Sequence, residues 1–240
     1  EAKDILHRSV HYKKDSNGLR ECIDPPSVTP KTDHDAFLTV IGLWLATGSA
    51  NNKCIVIYQQ RHKPRMQKAL VESCNRLGLK FNNGKDIFYI YSRPLYEMLA
   101  GQMSLPDWCF RLPPAHSRSL LEGIMLDGHK MKVGGTYRYD TPTVRLRDDI
   151  QRLALHCGWS ANYMLLRPKK SGHNISKPWR VTIVRKQNTP GVNISKKQDK
   201  LVTYSGSVHC VSVPPHNTFY VRRNNKPVWT GNSSRHGQSK

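Results

Sequence analysis

The chain is short of acidic residues, of long apolar runs and of paired cysteines, and each shortage narrows what it can be. Only 17 Asp and Glu residues stand against 38 Lys and Arg, an excess of +21 spread along 240 residues. That balance favours a polyanionic partner, held by phosphate contacts that weaken as salt rises. No apolar run approaches the roughly 18 residues of a membrane helix. The longest, Ala36 to Ala46, covers eleven positions and is broken by Thr39 and Gly42, so no membrane partner is expected. The six cysteines, Cys22, Cys54, Cys74, Cys109, Cys157 and Cys210, form no CxxC pair. Their scatter argues against a zinc ribbon or a disulfide framework and predicts free thiols in a reducing intracellular compartment. Position 1 is Glu, with no initiator Met and no leader, which predicts a chain that begins inside a longer precursor.

What is present begins with 38% apolar residues, enough for the core of one or two domains. It continues with an internal repeat. Phe37 to Gly48 returns in altered form as Ser119 to Gly128, with the closing glycines 80 residues apart. Each copy is followed by strand-like sequence, Cys54 to Tyr58 and Thr136 to Tyr139, and then by a helical pattern. The first pattern runs from Pro64 to Leu77 with Met66, Leu70, Cys74 and Leu77 on one face. The second runs from Thr143 to Cys157 with Leu146, Ile150, Leu153 and Leu155. Pro64 suits a first helical turn, and Gly78 and Gly158, again 80 apart, suit C-terminal caps.

This punctuation resembles the LAGLIDADG homing endonucleases in the version carried by inteins. The resemblance implies two apolar helices packed closely where Gly42 and Ala46 lie a turn apart, ending over a shared active site, with flanking sheets forming a DNA saddle. In that family an acid precedes each closing Gly, and the two acids hold divalent cations for phosphodiester hydrolysis. Here those positions are Thr47 and Asp127. Asp127 is then the metal ligand, with Mg²⁺ as the cofactor if the domain is active. Threonine brings no charge, and Gly123 to Asp127 spans four steps where Gly42 to Thr47 spans five. Double-strand cutting, nicking by the Asp127 half and DNA binding alone all remain open readings. Double-stranded DNA would be contacted from the strands and the loops after them, by Lys53, Gln59, Arg61 and Lys63 in the first copy and Lys132, Arg138 and Arg145 in the second.

The C-terminal region turns strand-rich from Trp179 onward. Its segment Val208 to Val221, closing on Lys226 to Asn232, resembles the C-terminal splicing motifs of an intein. Ser233 to Gln238 is similar to host sequence from the second-largest subunit of eukaryotic RNA polymerase II, which implies flanking exteins of that subunit and a nuclear setting. The Asn232 side chain can cyclise onto its own carbonyl and break the following bond, and Ser233 supplies the hydroxyl that accepts the upstream protein. Neither step needs a cofactor. Many inteins place His before this Asn; here Gly231 stands there. By the same resemblance His216 transfers protons and Cys210 assists the first steps; a turn histidine and a small buried strand residue are the plainer alternatives.

The first 35 residues hold no Thr-x-x-His and no starting nucleophile. An N-terminal intein segment is therefore the expected partner. The fold class that follows is mixed α/β: a pseudo-twofold duplicated α-β-β-α LAGLIDADG-type domain inserted in an all-β Hint splicing domain. Residues 1–30 read as a linker or remnant of the N-terminal splicing half, 31–170 as the endonuclease-type domain, 171–232 as the splicing segment and 233–240 as extein. The alternative is a DNA-binding or nicking protein of the same type without splicing.

Overall fold

The computed structural model describes residues 21–27, 32–58, 63–102, 104–131, 135–166, 178–186, 188–189, 203, 205–207, 211–214, 217–223 and 226–231. The chain divides into two compact units. One runs from Ser16 to Lys186 and the other joins Glu1–Asp15 to Gln187–Lys240.

The larger unit is built twice from the same parts. Its first half runs α1 (His34–Thr47), β1 (Gly48–Asn51), β2 (Cys54–Tyr58), α2 (Pro64–Arg76), β3 (Lys80–Asn83), β4 (Ile87–Tyr91) and α3 (Arg93–Leu99). After a short 3₁₀ turn at Asp107–Arg111, the second half runs α4 (Pro114–Met125), β5 (His129–Lys130), β6 (Tyr137–Thr141), α5 (Val144–His156), β7 (Ser160–Leu165) and β8 (Trp179–Val184). The strand orders are β1-β2-β4-β3 and β5-β6-β8-β7, the same in both halves, and every pairing is antiparallel. Each copy thus carries two strands beyond the α-β-β-α expected from the sequence. Trp179–Val184, expected to open the splicing segment, is β8, the strand that joins β6 to β7. The unit that contains β8 runs to Lys186.

The apolar stretch of α1 buries almost its whole circumference, with Ala36, Phe37, Leu38, Val40, Ile41, Leu43 and Trp44 all in the core. A helix apolar on all sides must sit inside. It starts at Asp33, whose carboxylate accepts a hydrogen bond from Ala36 N at 3.1 Å. Its inner neighbour is α4. The two run parallel: Asp35 meets Ser119 at one end, and Thr39 and Gly42 meet Gly123 further along. A Cβ on Gly42 would lie 2.6 Å from Leu120 O and 2.7 Å from Ile124 N, so the backbones touch there because position 42 has no side chain. The helices α2 and α5 follow the spacing read from the sequence, with Pro64 in the first turn of α2, and Gly78 and Gly158 close them at φ +63° and +75°. Ile55, Ile57, Phe88 and Ile90 from one sheet and Tyr139, Val181 and Ile183 from the other face the core.

In the smaller unit the described elements are β9 (Thr218–Arg223) and β10 (Lys226–Gly231), an antiparallel hairpin that pairs Gly231 with Thr218. No helix among the described residues is long and apolar enough to cross a membrane.

Candidate functional site

The C-terminal ends of α1 and α4 bring Thr47 and Asp127 to the same end of the parallel pair, as the repeat requires. The one-residue difference between the copies is absorbed at the helix ends. Helix α1 stays helical through Thr47, whereas α4 stops at Met125 and places Asp127 in the turn that follows.

Neither side chain is arranged for a divalent cation. The Thr47 hydroxyl donates to Tyr58 O at 3.0 Å, tying the end of α1 to β2. Asp127 is buried, and Lys63 from the first half reaches it: Nζ lies 2.7 Å from Oδ1 and 2.6 Å from the Asp127 backbone oxygen. Their side chains are 17% and 6% exposed. One ammonium therefore neutralises the carboxylate and satisfies a carbonyl just past the end of α4, where a cation is also favoured by the helix dipole. Mg²⁺ needs near-octahedral oxygen ligands, at least one of them anionic. A site with one hydroxyl turned to backbone and one carboxylate held by an ammonium does not fit that ion. Lys63, expected to contact DNA, lies against Asp127.

A second bond crosses between the halves at this end. The Tyr139 hydroxyl donates to Ala46 O at 3.1 Å. Burial first, then the neighbouring Asp127 and Asp140 carboxylates, push its phenol well above the usual range, so it stays protonated and keeps donating. The sequence reading missed Tyr139; its sign there was only a strand-like aromatic.

Of the other expected DNA contacts, Lys53 sits exposed at the β1–β2 turn, where Asn52 and Lys53 both take positive φ, the geometry of a tight hairpin. Arg138 lies on β6 on the face away from the core, beside Thr182 on β8. Arg180, which the sequence reading passed over, shares that face and grips Asp140 through two bonds of 2.7 and 2.6 Å. Arg145 is exposed in the first turn of α5, within the helical pattern read from the sequence. That helix covers the core side of the sheet, where its Arg147 stacks on Tyr163 and Trp179 at 3.9 and 4.2 Å. Arg145 therefore does not share a face with Arg138. Gln59, Arg61 and Lys132 lie outside the described residues. Cys74 and Cys109 are fully buried, and burial raises both thiols, Cys74 to about 12, so neither is a nucleophile at neutral pH.

Among the splicing residues, Gly231 is described; Cys210, His216, Asn232 and Ser233 lie outside the described residues. Gly231 ends β10 exposed, beside Thr218 and within reach of Asn217. Asn217, at φ +49°, closes a turn through Asn217 N to Val213 O at 2.7 Å and Val213 N to its own Oδ1 at 3.2 Å.

No known family profile matches the chain. It is 30% identical over 263 aligned residues to the DNA-directed RNA polymerase subunit beta C-terminal section of Stigeoclonium helveticum, which covers 85% of this chain and 24% of that protein. It is 23% identical to the ATP-dependent Clp protease proteolytic subunit of Chlamydomonas moewusii, along all of this chain and 37% of that one. The chain thus spans between a quarter and two fifths of these relatives' lengths. The polymerase relative is named for the C-terminal section of a subunit beta. Similar solved structures include the homing endonuclease I-DmoI in complex with DNA and calcium, at 12% identity and TM-score 0.45 over 66% of this chain and 87% of that one. They also include full-length DUF199/WhiA from Thermatoga maritima, at 10% identity and TM-score 0.46 over 67% and 54%.

Proposed function

We propose that the Ser16–Lys186 unit is a double-stranded-DNA-binding domain of the LAGLIDADG type that has lost cleavage, carried within an intein. The observation that carries this reading is the lysine on Asp127. A duplicated α/β unit with paired helices supplies the two positions where catalytic acids would stand, and Thr47 and Lys63 leave no open anionic pair there. The basic excess of the chain remains available for phosphates.

Its likeness to both a polymerase subunit and a protease subunit supports the insert reading. Those hosts share no activity, so the matched stretch is better explained as a passenger than as part of either host. The order of the C-terminal motif residues along the chain, His216, then Asn232 and Ser233, supports splicing as the passenger's second role. Asn232 would then cyclise and Ser233 accept, once an N-terminal intein segment completes the fold.

Binding is tested by fluorescence anisotropy with a duplex spanning the uninterrupted host junction and a scrambled duplex, across a salt series. Tighter binding to the junction duplex, weakening with salt, is expected. Equal and weak binding to both would remove the DNA reading. For splicing, intact-mass analysis after mixing with an N-terminal fragment should show loss of the peptide from Ser233 onward in native protein and none in Asn232→Ala; no release from either ends that reading.

A further inference from the structure

The opposite end of the α1–α4 pair holds a cluster that the DNA and splicing readings do not use. Asp24, His34 and His116 offer ligand atoms that all lie within 4.8 Å of one another. They come from three parts of the chain. Asp24 is in the described segment 21–27, His34 is the first residue of α1 and His116 is in the first turn of α4. The two rings meet edge to face, with centroids 5.3 Å apart at 88°. His116 Nδ1 is buried and has no hydrogen-bond partner among the described residues. A buried imidazole nitrogen with no hydrogen bond is costly unless something else takes its lone pair or its proton.

The duplication explains why two histidines meet here. His34 stands three residues before Phe37 and His116 three before Ser119, the starts of the two repeated segments. Parallel packing of the repeated helices then brings both imidazoles to the same end. Two parallel helices also direct their positive dipole ends this way, which would repel a cation. Local acids offset that. Asp33 and Asp35 sit at the same end, Asp33 on Arg76 and Ala36 N and Asp35 on Ser119. With Glu21 and Asp24 they place four of the chain's 17 acids within fifteen residues. Two of the four, Asp33 and Glu21, are shared with Arg76 and Arg111.

We propose that Asp24, His34 and His116 bind one first-row transition-metal ion of the zinc class. The ion would clip segment 21–27 to the N-terminal ends of both central helices. Two imidazoles and one carboxylate are a donor set that suits such ions, with the fourth position left to water. Tetrahedral zinc holds ligand atoms about 3.4 Å apart. The Asp24 side chain is exposed, so rotation about its own bonds can bring the carboxylate to that spacing while its segment stays held by Ile23 N to Arg111 O at 2.8 Å and by the Glu21–Arg111 pair at 3.3 Å. The site is independent of DNA and of Asp127, so its test does not depend on either reading above.

The test is titration of the full chain with Co²⁺ and then Zn²⁺. Visible d–d bands should saturate at one equivalent and disappear as Zn²⁺ displaces Co²⁺. His34→Ala and His116→Ala should each remove the bands, and Asp24→Asn should weaken binding by about tenfold or more. Zinc at a hundred times its dissociation constant should raise the wild-type Tm by roughly 5–10 °C and leave the His34→Ala/His116→Ala double variant unmoved. Circular dichroism at 20 °C, a chosen assay temperature, confirms that the variants are folded. If a variant is not, extended X-ray absorption on the zinc-loaded wild type must show two imidazoles in the ion's first shell. Bands that never saturate at one equivalent, bands that persist in the double variant, or a zinc shell with fewer than two imidazoles would overturn the proposal.

Discussion

The two halves of the duplicated unit share one strand order but present different surfaces. On the outer face of the first sheet stand Tyr58, Ile87, Tyr89 and Tyr91, with Tyr58 and Tyr91 about half exposed and no acid among them. On the second stand Arg138, Asp140, Arg180 and Thr182. The helix ends differ as well: the first half ends α1 on Thr47, bonded to Tyr58 O, and the second places Asp127 past α4, paired with Lys63 of the first half. A duplication preserves the packing that both copies need, the backbone contact at Gly42 and Gly123. It leaves surfaces and end groups free to drift apart. The second sheet carries the charged outer face, and the first half supplies the lysine that pairs with Asp127.

The sharpest way to break this comparison is to remove Lys63. Lys63→Met leaves a buried carboxylate without its cation and should cost about 3–5 kcal/mol in urea unfolding, while adding Asp127→Asn should return most of the loss. If the double variant is as unstable as the single one, the pair is not what holds this end together. Next come the two glycines. Gly42→Ala forces a methyl to within 2.6 Å of backbone and should cost about 2–3 kcal/mol. Gly123→Ala meets Thr39 O at 3.0 Å and should cost about 1 kcal/mol, because the neighbours need shift only a few tenths of an ångström. Equal costs would mean the crossing is symmetric. The caps differ in the same sense: α1 has Asp33, and α4 begins after Pro113 with no side-chain cap. Asp33→Ala should lose about 1 kcal/mol near neutral pH. Burial works against the Asp33 charge, but the hydrogen bonds from Ala36 N and Arg76, with the charge of Arg76, outweigh it and lower its pKa. A lowered folded pKa means the stabilisation is present above the ordinary value of 3.8 and is lost as pH falls through the folded value, so wild type and variant should converge in acid. Smallest is the DNA contact itself. Lys53→Ala should reduce the slope of log affinity against log salt by about 0.9, and Arg145→Ala, on the core-side helix, should leave it unchanged.

Much of the fold could be read along the chain because it is written locally. The helices announce themselves by three- and four-residue spacing, Pro64 and the closing glycines Gly78 and Gly158. Strand β3 did not, since Lys80 to Asn83 is polar apart from Phe81, and its partner β4 supplies the order. The place of β8 is not legible along the chain because a long stretch rich in basic residues, including Arg167 to Lys177, separates it from β7, and only sheet pairing joins them. At the site, Thr47 and Asp127 were found from the repeat. Lys63 stands out in the sequence as a basic residue, but its contact with Asp127 does not, because the two are 64 positions apart and no local pattern links them. The Asp24, His34 and His116 cluster was invisible for the same reason.

The central claim is that the site at the α1 and α4 ends binds no catalytic metal. It is tested most directly by incubating supercoiled plasmid carrying the uninterrupted host gene with the full chain, in Mg²⁺ or Mn²⁺ and in EDTA. The plasmid should stay supercoiled in all three, while a gel shift of the same sequence is equal with and without metal. Metal-dependent nicked or linear product that vanishes in Asp127→Asn would contradict the account.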